Sequence, residues 1–396
     1  MTDSKAKRVG VLVELTREFG RDLCKGITDF ACSHEGFIPF FITPETLKRK
    51  SELKSYDGFI ARVMSDEMAA TLAALKKPIV DMYYDKPRPG FAIVKTNHSR
   101  IGRLAAEHFL ERKFKNFAFC GFAGGRFSNY CSRAFQRALA AKGHRCHSYQ
   151  PDARAKYEFD STVLINEQLN RAPDAKALAK WIGLLPKPVA VFCPNDLRAW
   201  QLLQVCKECD IHVPHDIAIL GLDNDVIVCG FSNPMISSID PDTPAIGREA
   251  ARTLVEMMND PDFRKKTLIR QVNPNRVIGR ASTEVYPIDP PWLSDALVYM
   301  RKRVSDQLTA DDVFKHLGLS HTTVNRTFRK VLNITVQKEI AAARMEEARR
   351  LLENTDLKTA QIAERSGFAS ATYFVHTFTQ AHGISPISWR KQHRQP

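Results

Sequence analysis

The chain has 396 residues, of which 44% are apolar and 26% are charged, and its formal net charge is +14. A chain of this length and composition suits two or three globular domains rather than one. Its apolar runs are too short for a secretory leader or a membrane span, so we expect a cytoplasmic protein without a membrane partner. Nine cysteines at irregular spacing fit a reducing compartment, and the positive charge makes a polyanionic partner plausible.

The first 283 residues alternate short apolar runs with longer runs of helical period. The predicted strands of a first series cover residues 9–15, 37–42, 58–61, 78–81 and 92–94, and those of a second series cover 116–122, 189–193 and 217–221. The predicted helices between them cover residues 21–33, 97–112, 128–142 and 196–209. Strands that alternate with helices indicate parallel, doubly wound sheets, and two series predict two α/β lobes.

Polar side chains lie at or after the ends of several predicted strands. Doubly wound sheets bind ligands at the carboxyl ends of their strands, where a carboxylate can accept hydrogen bonds from two adjacent hydroxyls. The sequence therefore predicts a small polar ligand between the lobes. The candidate contacts are Glu14, Arg17, Phe19, Asn195, Asp196, Asp223 and Asn224. The simpler alternative is that loops are polar anyway and that Asp196 only caps its helix.

Three segments carry a resemblance to a known domain. Residues 189–224, VAVFCPNDLRAWQLLQVCKECDIHVPHDIAILGLDN, closely resemble the effector-binding domain of LacI-family repressors, which is itself similar to periplasmic sugar-binding proteins. PAIGREAARTLVEMM at 244–258 and VIGRAST at 277–283 resemble later signatures of that domain. The resemblance runs from about Lys7 to Thr283 and implies two lobes that close on a sugar. The family's N-terminal DNA reader has no counterpart before the first predicted strand.

The loop GFAGG and the helix after it depart from the family pattern. The resemblance implies ligand contacts at Asn195 or Asp196 and at Asp223. However, Cys131 stands where such domains carry an anchoring arginine, and the nearby arginines are Arg126 and Arg133. We keep Arg126 as a candidate contact. The loop is a weak match for a phosphate cradle because it lacks the full G-x-G-x-x-G, so we interpret it as part of the sugar site.

Residues 284–295, EVYPIDPPWLSD, hold three prolines and no helical period, so we predict a linker there. Two similar units follow within an all-α domain at 296–396, one at 308–329 and one at 357–379. Each has a short helix, a glycine (Gly318, Gly367), a hydroxyl N-cap (Ser320, Ser370) and a second helix. A glycine with positive φ ends the first helix sharply, and the result is a helix-turn-helix.

A long helix is predicted between the two units, at residues 335–353, with Val336, Ile340, Ala348 and Leu352 among its core residues. At 1.5 Å per residue, about 19 residues span roughly 28 Å. This length is close to the ~34 Å repeat of DNA, so the two units could place their second helices in successive major grooves.

The same region resembles the AraC-family DNA-binding domain across residues 292–390. The matching motifs are R-x-x-x-A-x-x-L-L at 344–352, I-A-x-x-x-G-F at 362–368, Y-F-x-x-x-F at 373–378 and G-x-S-P at 383–386. The resemblance implies tandem helix-turn-helix units that bind double-stranded DNA. Asn333 replaces a usual glycine, and His376 stands where an arginine often reads a base.

Each reading helix is expected to present one face to the core and the other to DNA. The predicted core residues are Val324, Phe328, Phe368, Tyr373, Phe374 and Phe378. The predicted DNA contacts are Thr322, Thr323, Asn325, Arg326, Arg329, Lys330, Ala371, Thr372, Val375 and His376. Asn suits adenine, Arg suits guanine and methyl groups suit thymine, while Arg329 and Lys330 fit phosphates better. The alternative is a face that is merely solvated.

Together the two resemblances predict a sugar-responsive transcription regulator that acts as a homodimer. The combination is similar to bacterial regulators of pentose operons, which implies D-xylose as effector, activation of catabolic genes and room for a contact with RNA polymerase. A different sugar and repression stay open. We expect no enzyme, cofactor or metal, because the sequence has no nucleophile elbow, Walker loop or metal-spaced cluster. Segments 78–82 and 104–109 are our candidates for the dimer interface.

Overall fold

The computed structural model describes residues 6–83, 87–122, 125–149, 172–265 and 268–393. The chain forms two compact units. Unit 1 contains residues 1–109 and 115–283, and unit 2 contains residues 110–114 and 284–396. Among the helices in the described ranges, none has the length and apolar character that a membrane crossing requires.

Unit 1 is built from strands and helices that alternate along the chain. Its strands are β1 (Lys7–Leu12), β2 (Phe37–Phe41), β3 (Gly58–Ala61), β4 (Ile79–Asp81), β5 (Phe91–Thr96), β6 (Asn116–Phe119), β7 (Cys146–Ser148), β8 (Val189–Phe192), β9 (Ile217–Leu222), β10 (Ser237–Asp240), β11 (Leu268–Val272) and β12 (Arg276–Ile278). Its helices are α1 (Glu18–Ser33), α2 (Pro44–Leu47), α3 (Lys50–Leu53), α4 (Asp66–Ala74), α5 (His98–Glu111), α6 (Arg126–Ala140), α7 (Ala175–Leu184), α8 (Asp196–Glu208), α9 (Val226–Phe231) and α10 (Thr243–Asn259).

The strands form two six-stranded sheets, one for each lobe of unit 1. The first has the order β11-β5-β4-β3-β1-β2, and the second has the order β12-β10-β9-β8-β6-β7. Neighbouring strands are parallel except β12, which runs antiparallel to β10. The chain passes to the second sheet after β5, returns after β10 and crosses again after β11. The predicted two-lobed, doubly wound fold is therefore confirmed.

Apolar side chains fill both faces of each sheet, which explains why these strands are continuous apolar runs. One face of the first sheet packs on α1 and α10 through Val9, Val11 and Leu254. The same burial contradicts our candidates for a dimer interface at 78–82 and 104–109. Val80 lies on a strand inside the first sheet and Phe109 on the apolar face of α5, and both side chains are wholly buried within unit 1.

Unit 2 is helical. Its helices are α11 (Pro291–Lys302), α12 (Ala310–Leu317), α13 (His321–Leu332), α14 (Val336–Asn354), α15 (Thr359–Arg365), α16 (Ala371–His382) and α17 (Pro386–His393). One core packs around Val313, Val324 and Phe328, and a second packs around Phe374 and Phe378. The predicted linker at 284–295 is partly helical, since α11 begins at Pro291, and its Tyr286 belongs to the first core.

The helix α14 contributes to both cores of unit 2. Val336 and Ile340, near its start, pack in the first core, whereas Ala348 and Leu352 pack in the second. Thr335 caps its first turn by accepting a hydrogen bond from the backbone NH of Lys338 at 3.3 Å. A single uninterrupted helix thus joins the two helix-turn-helix units, as predicted.

Candidate ligand cleft and nucleic-acid interface

The carboxyl ends of the strands in the two lobes of unit 1 enclose a cavity of about 120 Å³. The first lobe contributes Glu14, Arg17, Phe19, Arg62, Met64, Met82, Tyr83, Lys95 and Thr96 to its lining, and the second contributes Phe127, Tyr130, Cys131, Pro194, Asn195, Leu222 and Asp223. A single water needs about 10–15 Å³ of such space, so the cavity has room for a ligand of several heavy atoms. Charged groups and aromatic rings occur together in the lining.

An ion pair within the first lobe defines one wall of the cleft. The Oε2 atom of Glu14 accepts a hydrogen bond from Nη1 of Arg62 at 2.6 Å, and both side chains are largely buried. The guanidinium of Arg62 also lies 5.1 Å from the ring centre of Phe19 and 5.3 Å from that of Tyr83. These contacts hold the Arg62 guanidinium near two rings, with its charge balanced by Glu14.

Asp223 occupies the opposite wall. It lies directly after β9 in a left-handed conformation, with φ of 106°, and its NH donates to the carbonyl oxygen of Ile239 at 3.1 Å. Burial, followed by the charge of Asp196, raises the pKa of Asp223 well above its ordinary value, although Arg17 and Arg62 favour its charged form. Burial likewise lowers the pKa of Arg17, and Glu14 opposes this shift. The cleft therefore holds desolvated hydrogen-bond acceptors and donors that a polar ligand could contact.

Three neighbouring candidates have different positions. Asn195 lines the cleft and caps α8, because its Oδ1 atom accepts from the NH of Arg198 at 2.9 Å. Asp196 lies behind the lining, is 2% exposed, and accepts a 2.7 Å hydrogen bond from the NH of Asp225. Asn224 accepts from Arg280 at 2.7 Å. Asp196 and Asn224 thus support the turn that carries Asp223, and neither is among the described lining residues.

The structure does not bring Arg126 into the described lining of the cleft. Arg126 is the first residue of α6, and the helix turns Phe127, Tyr130 and Cys131 toward the cavity at positions i, i+3 and i+4. Residues 123–124 of the GFAGG loop lie outside the described ranges. The cations that line the cleft, Arg17, Arg62 and Lys95, come from the first lobe instead.

Sequence reasoning missed Arg62, Tyr83 and Lys95 as cleft residues. Arg62 directly follows β3, Tyr83 comes two residues after β4, and Lys95 lies near the end of β5. The rule that indicated Glu14 and Asp223, a polar side chain at the carboxyl end of a strand, also applies to these three positions. The signal was present, but it was applied to too few strands.

Unit 2 contains the two predicted helix-turn-helix units. The turns are made at Gly318, with φ of 63°, and at Gly367, with φ of 76°. The second helix of each unit is capped by a serine: Ser320 accepts from the NH of Thr323 at 3.2 Å, and Ser370 accepts from the NH of Tyr373 at 3.1 Å. These local interactions fix the direction of α13 relative to α12 and of α16 relative to α15.

The reading helix α13 buries Val324 and Phe328 completely and turns polar residues outward. Thr322, Arg326, Arg329 and Lys330 are exposed, and Asn325 is half-buried. Thr323 has a second role near the turn, because its hydroxyl lies 2.9 Å from that of Ser320. The face that we predict for DNA thus presents two arginines and one lysine, which can pair with bases or phosphates.

The reading helix α16 buries Phe374 and Phe378 completely, as predicted. Thr372, Val375 and His376 lie on its outer face. Tyr373 corrects one prediction. It is 56% exposed and meets the core only where its ring lies 6.1 Å from that of Phe368, because its position on the helix is next to the core stripe and not on it.

Both units of the chain match known domains. A periplasmic binding protein-like domain matches residues 106–283, and a helix-turn-helix domain matches residues 313–392. The chain is 25% identical over 396 residues to the xylose operon regulatory protein of Escherichia coli strain K12. The aligned region covers 98% of this chain and 97% of that protein. The chain is a two-domain transcription regulator.

Solved structures support the same architecture for this regulator. A structure of the xylose-binding transcription activator xylR matches with a TM-score of 0.58 at 24% identity, over 99% of this chain and 100% of that one. A LacI family transcriptional regulator from Enterococcus faecium with bound ribose matches with a TM-score of 0.55 at 22% identity, over 72% of this chain and 100% of its own. The second match fits the extent of unit 1.

Proposed function

We propose that this regulator binds a sugar in the cleft of unit 1 and operator DNA through unit 2, and that the sugar controls a pentose catabolic operon. The observation that carries the proposal is a cleft walled by charged side chains of both lobes in the same chain as two helix-turn-helix units. The names of its relatives, a xylose operon regulatory protein and a xylose-binding activator, support D-xylose and activation as the first form to test.

The lining of the cleft suits a molecule with many hydroxyl groups. Glu14, Asn195 and Asp223 can accept hydrogen bonds, while the cations Arg17 and Arg62 donate them. Each sugar hydroxyl can donate and accept at once, so it can bridge such a pair. The rings of Phe19, Tyr83, Phe127 and Tyr130 add apolar surface for the C–H faces of a sugar ring.

The sugar acts as a switch only if it binds one arrangement of the protein better than another. Because the lining comes from both lobes, a ligand that touches both walls favours an arrangement in which the lobes are close. We propose that the regulator works as a homodimer in the cytoplasm, where two subunits place four reading helices on DNA and can contact RNA polymerase. Regulation of transcription, rather than catalysis, is the activity that we propose.

A thermal-shift screen of the full chain against common pentoses and hexoses tests the ligand. A ligand at 100 times its Kd stabilises the native state by about 2.7 kcal/mol, so the true effector raises the melting temperature measurably. We expect D-xylose to do so, and we expect Asp223→Ala to abolish the shift. Asp223→Gly is a needed second variant, because glycine accepts the positive φ at this position without strain.

The matched control is Asp262→Ala: the Asp262 side chain is exposed and pairs with Lys265 on the surface of unit 1, so this variant should respond like the wild type. Both Asp223 variants should keep basal DNA binding. A normal sugar response in Asp223→Gly would remove Asp223 from the site. A rise in melting temperature with a different sugar, and not with D-xylose, would identify that sugar as the effector. A fall of transcription in vitro when the effector is added would indicate a repressor.

A further inference from the structure

The outer face of α16 differs chemically from that of α13. The helix α16 contains no lysine or arginine between Ala371 and His382, whereas α13 carries Arg326, Arg329 and Lys330. Beside α16 lies an open groove whose lining is rich in methyl groups. These belong to Thr359, Ala360, Ala371, Thr372, Val375, Thr379 and Ile387, and the lining also includes the polar side chains of His376, Gln380 and Ser385.

The methyl groups of this groove are accessible. Val375 is 36% exposed and Ile387 is 58% exposed, and neither belongs to a core of unit 2. The hydroxyl of Thr379 donates to the carbonyl oxygen of Val375 at 2.7 Å, so the part of this side chain that stays available is its methyl group. Phe374 and Phe378 point to the core from the other side of the helix.

The groove adjoins the surface by which a helix-turn-helix unit enters the major groove, so its occupant should be a base edge. In the major groove, the C5 methyl of thymine is the apolar group among the hydrogen-bonding groups that the base pairs present. Neutralising phosphates takes lysine or arginine, and α16 has neither, so its phosphate contacts are limited to neutral donors such as hydroxyls and backbone NH groups. The methyl groups of the lining therefore match the thymine methyl, while His376 and Gln380 can form hydrogen bonds to neighbouring base edges.

We infer that the second helix-turn-helix of unit 2 reads thymine methyl groups through Thr372, Val375 and Thr379. The first helix-turn-helix of unit 2 supplies the phosphate and purine contacts. This inference rests on the proposed function, since it requires that unit 2 binds DNA. It assigns different tasks to the two helix-turn-helix motifs: the first provides most of the salt-dependent affinity for DNA, and the second provides base preference without adding charge. Val375, at the centre of the lining, is the principal specificity-determining residue.

The test uses the full chain and duplex DNA selected from a random-sequence pool. Each thymine of the selected duplex is then replaced, one at a time, by deoxyuridine, which lacks only the methyl group. Burying one such carbon contributes about 0.8 kcal/mol, so each contacted thymine should cost roughly fourfold in Kd when replaced. We expect these losses in the half-site that α16 contacts.

Protein variants identify the helix that makes the contacts. Val375→Ser should abolish the deoxyuridine effect at one or two positions, and Thr372→Ser, which deletes a methyl and keeps the hydroxyl, should do so at a neighbouring position. Val331→Ser is the matched control, because Val331 is similarly exposed, at 41%, and lies on α13. It should leave every deoxyuridine effect unchanged.

The outcomes separate the inference from the proposed function. If no duplex is enriched from the pool, the full chain does not bind DNA with sequence preference, and both the inference and the proposed DNA binding fall. If a duplex is bound but deoxyuridine is tolerated everywhere, DNA binding stands and the reading of thymine methyls is overturned. If losses occur but persist in Val375→Ser and Thr372→Ser alike, another element makes those contacts.

Discussion

At the scale of single residues, Asp196 shows how position along a strand is not enough to assign a role. It lies four residues after the carboxyl end of β8, as the first residue of α8, yet it is buried and accepts a hydrogen bond from the NH of Asp225. Asp225 in turn accepts from the NH groups of Ile227 and Val228 and so caps α9. We therefore consider Asp196 a positioning residue for the turn that holds Asp223.

Asp196 should also make the stability of unit 1 depend on pH. Burial raises its pKa to about 7, far above the ordinary value of an unfolded chain. The folded state binds this proton more tightly than the unfolded chain does. The resulting contribution to the free energy of unfolding is therefore complete below about pH 4 and is lost as the pH rises through about 7. The free energy of unfolding of Asp196→Asn, relative to that of the wild type, should therefore be about 2–3 kcal/mol higher at pH 8 than at pH 5.

Urea denaturation at the two pH values measures this difference, and replacing Trp292 and Trp389 of unit 2 by phenylalanine in every variant leaves Trp181 and Trp200 to report on unit 1 by fluorescence. The control Asp262→Asn removes an exposed carboxylate that is 59% accessible, and should show no such change. An equal effect of Asp196→Asn at both pH values would mean that Asp196 is ionised throughout and is stabilised by its hydrogen bonds.

At the scale of elements, local signals predicted the two helix-turn-helix units and eight of the twelve described strands, but only four of the ten described helices of unit 1. The glycine and serine positions of the two helix-turn-helix units were predicted correctly, because caps and positive φ are local properties of a few residues. Predicted strands and helices of unit 1 lie within a few residues of the observed ones. The short strands β7 and β10 to β12 were missed, since three to five residues with mixed burial carry too little periodicity.

Tertiary contacts account for the other differences. The order of strands within each sheet and the return of β11 to the first sheet depend on packing between distant segments, which no local pattern encodes. The exposure of Tyr373 and the absence of Arg126 from the described cleft lining are likewise set by the direction of one helix relative to its neighbours. By contrast, Asn195 and Asp223 could be placed at the cleft because strand ends of parallel sheets meet at one edge.

The two turn glycines of unit 2 should differ in their tolerance of substitution. A Cβ atom on Gly318 would meet nothing within 4 Å, so Gly318→Ala costs only the positive φ, about 1–2 kcal/mol. A Cβ atom on Gly367 would lie 1.9 Å from the carbonyl oxygen of Val304, so Gly367→Ala should cost a further 1–3 kcal/mol or so as the backbone moves.

Hydrogen exchange of the full chain compares the two variants element by element. Gly367→Ala should lower the protection of peptides from α15 and α16 more than Gly318→Ala lowers that of α12 and α13. Equal losses in the two units would show that the close approach between Gly367 and Val304 relaxes without cost. Because the two helix-turn-helix units pack around separate cores, the peptides of the unsubstituted one serve as the internal control.

At the scale of the whole molecule, the proposed function requires a coupling free energy between sugar binding in unit 1 and DNA binding in unit 2. If the sugar changes the affinity for the operator by some factor, the operator must change the affinity for the sugar by the same factor. For an allosteric regulator this factor is typically about 5–150. The relation holds for any arrangement of the two units, so it tests their coupling without an assumption about geometry.

We therefore expect the Kd of the effector, measured by calorimetry on the full chain, to fall in the presence of saturating operator by the factor by which the effector lowers the operator's Kd. A duplex of unrelated sequence is the control for the DNA, and Asp223→Gly is the control for the sugar, since it should bind operator with an affinity that sugar no longer alters. A factor of one in both directions would mean that the two units bind independently. Such a protein would hold a sugar and DNA at the same time without a switch, and its relation to transcription would need another signal.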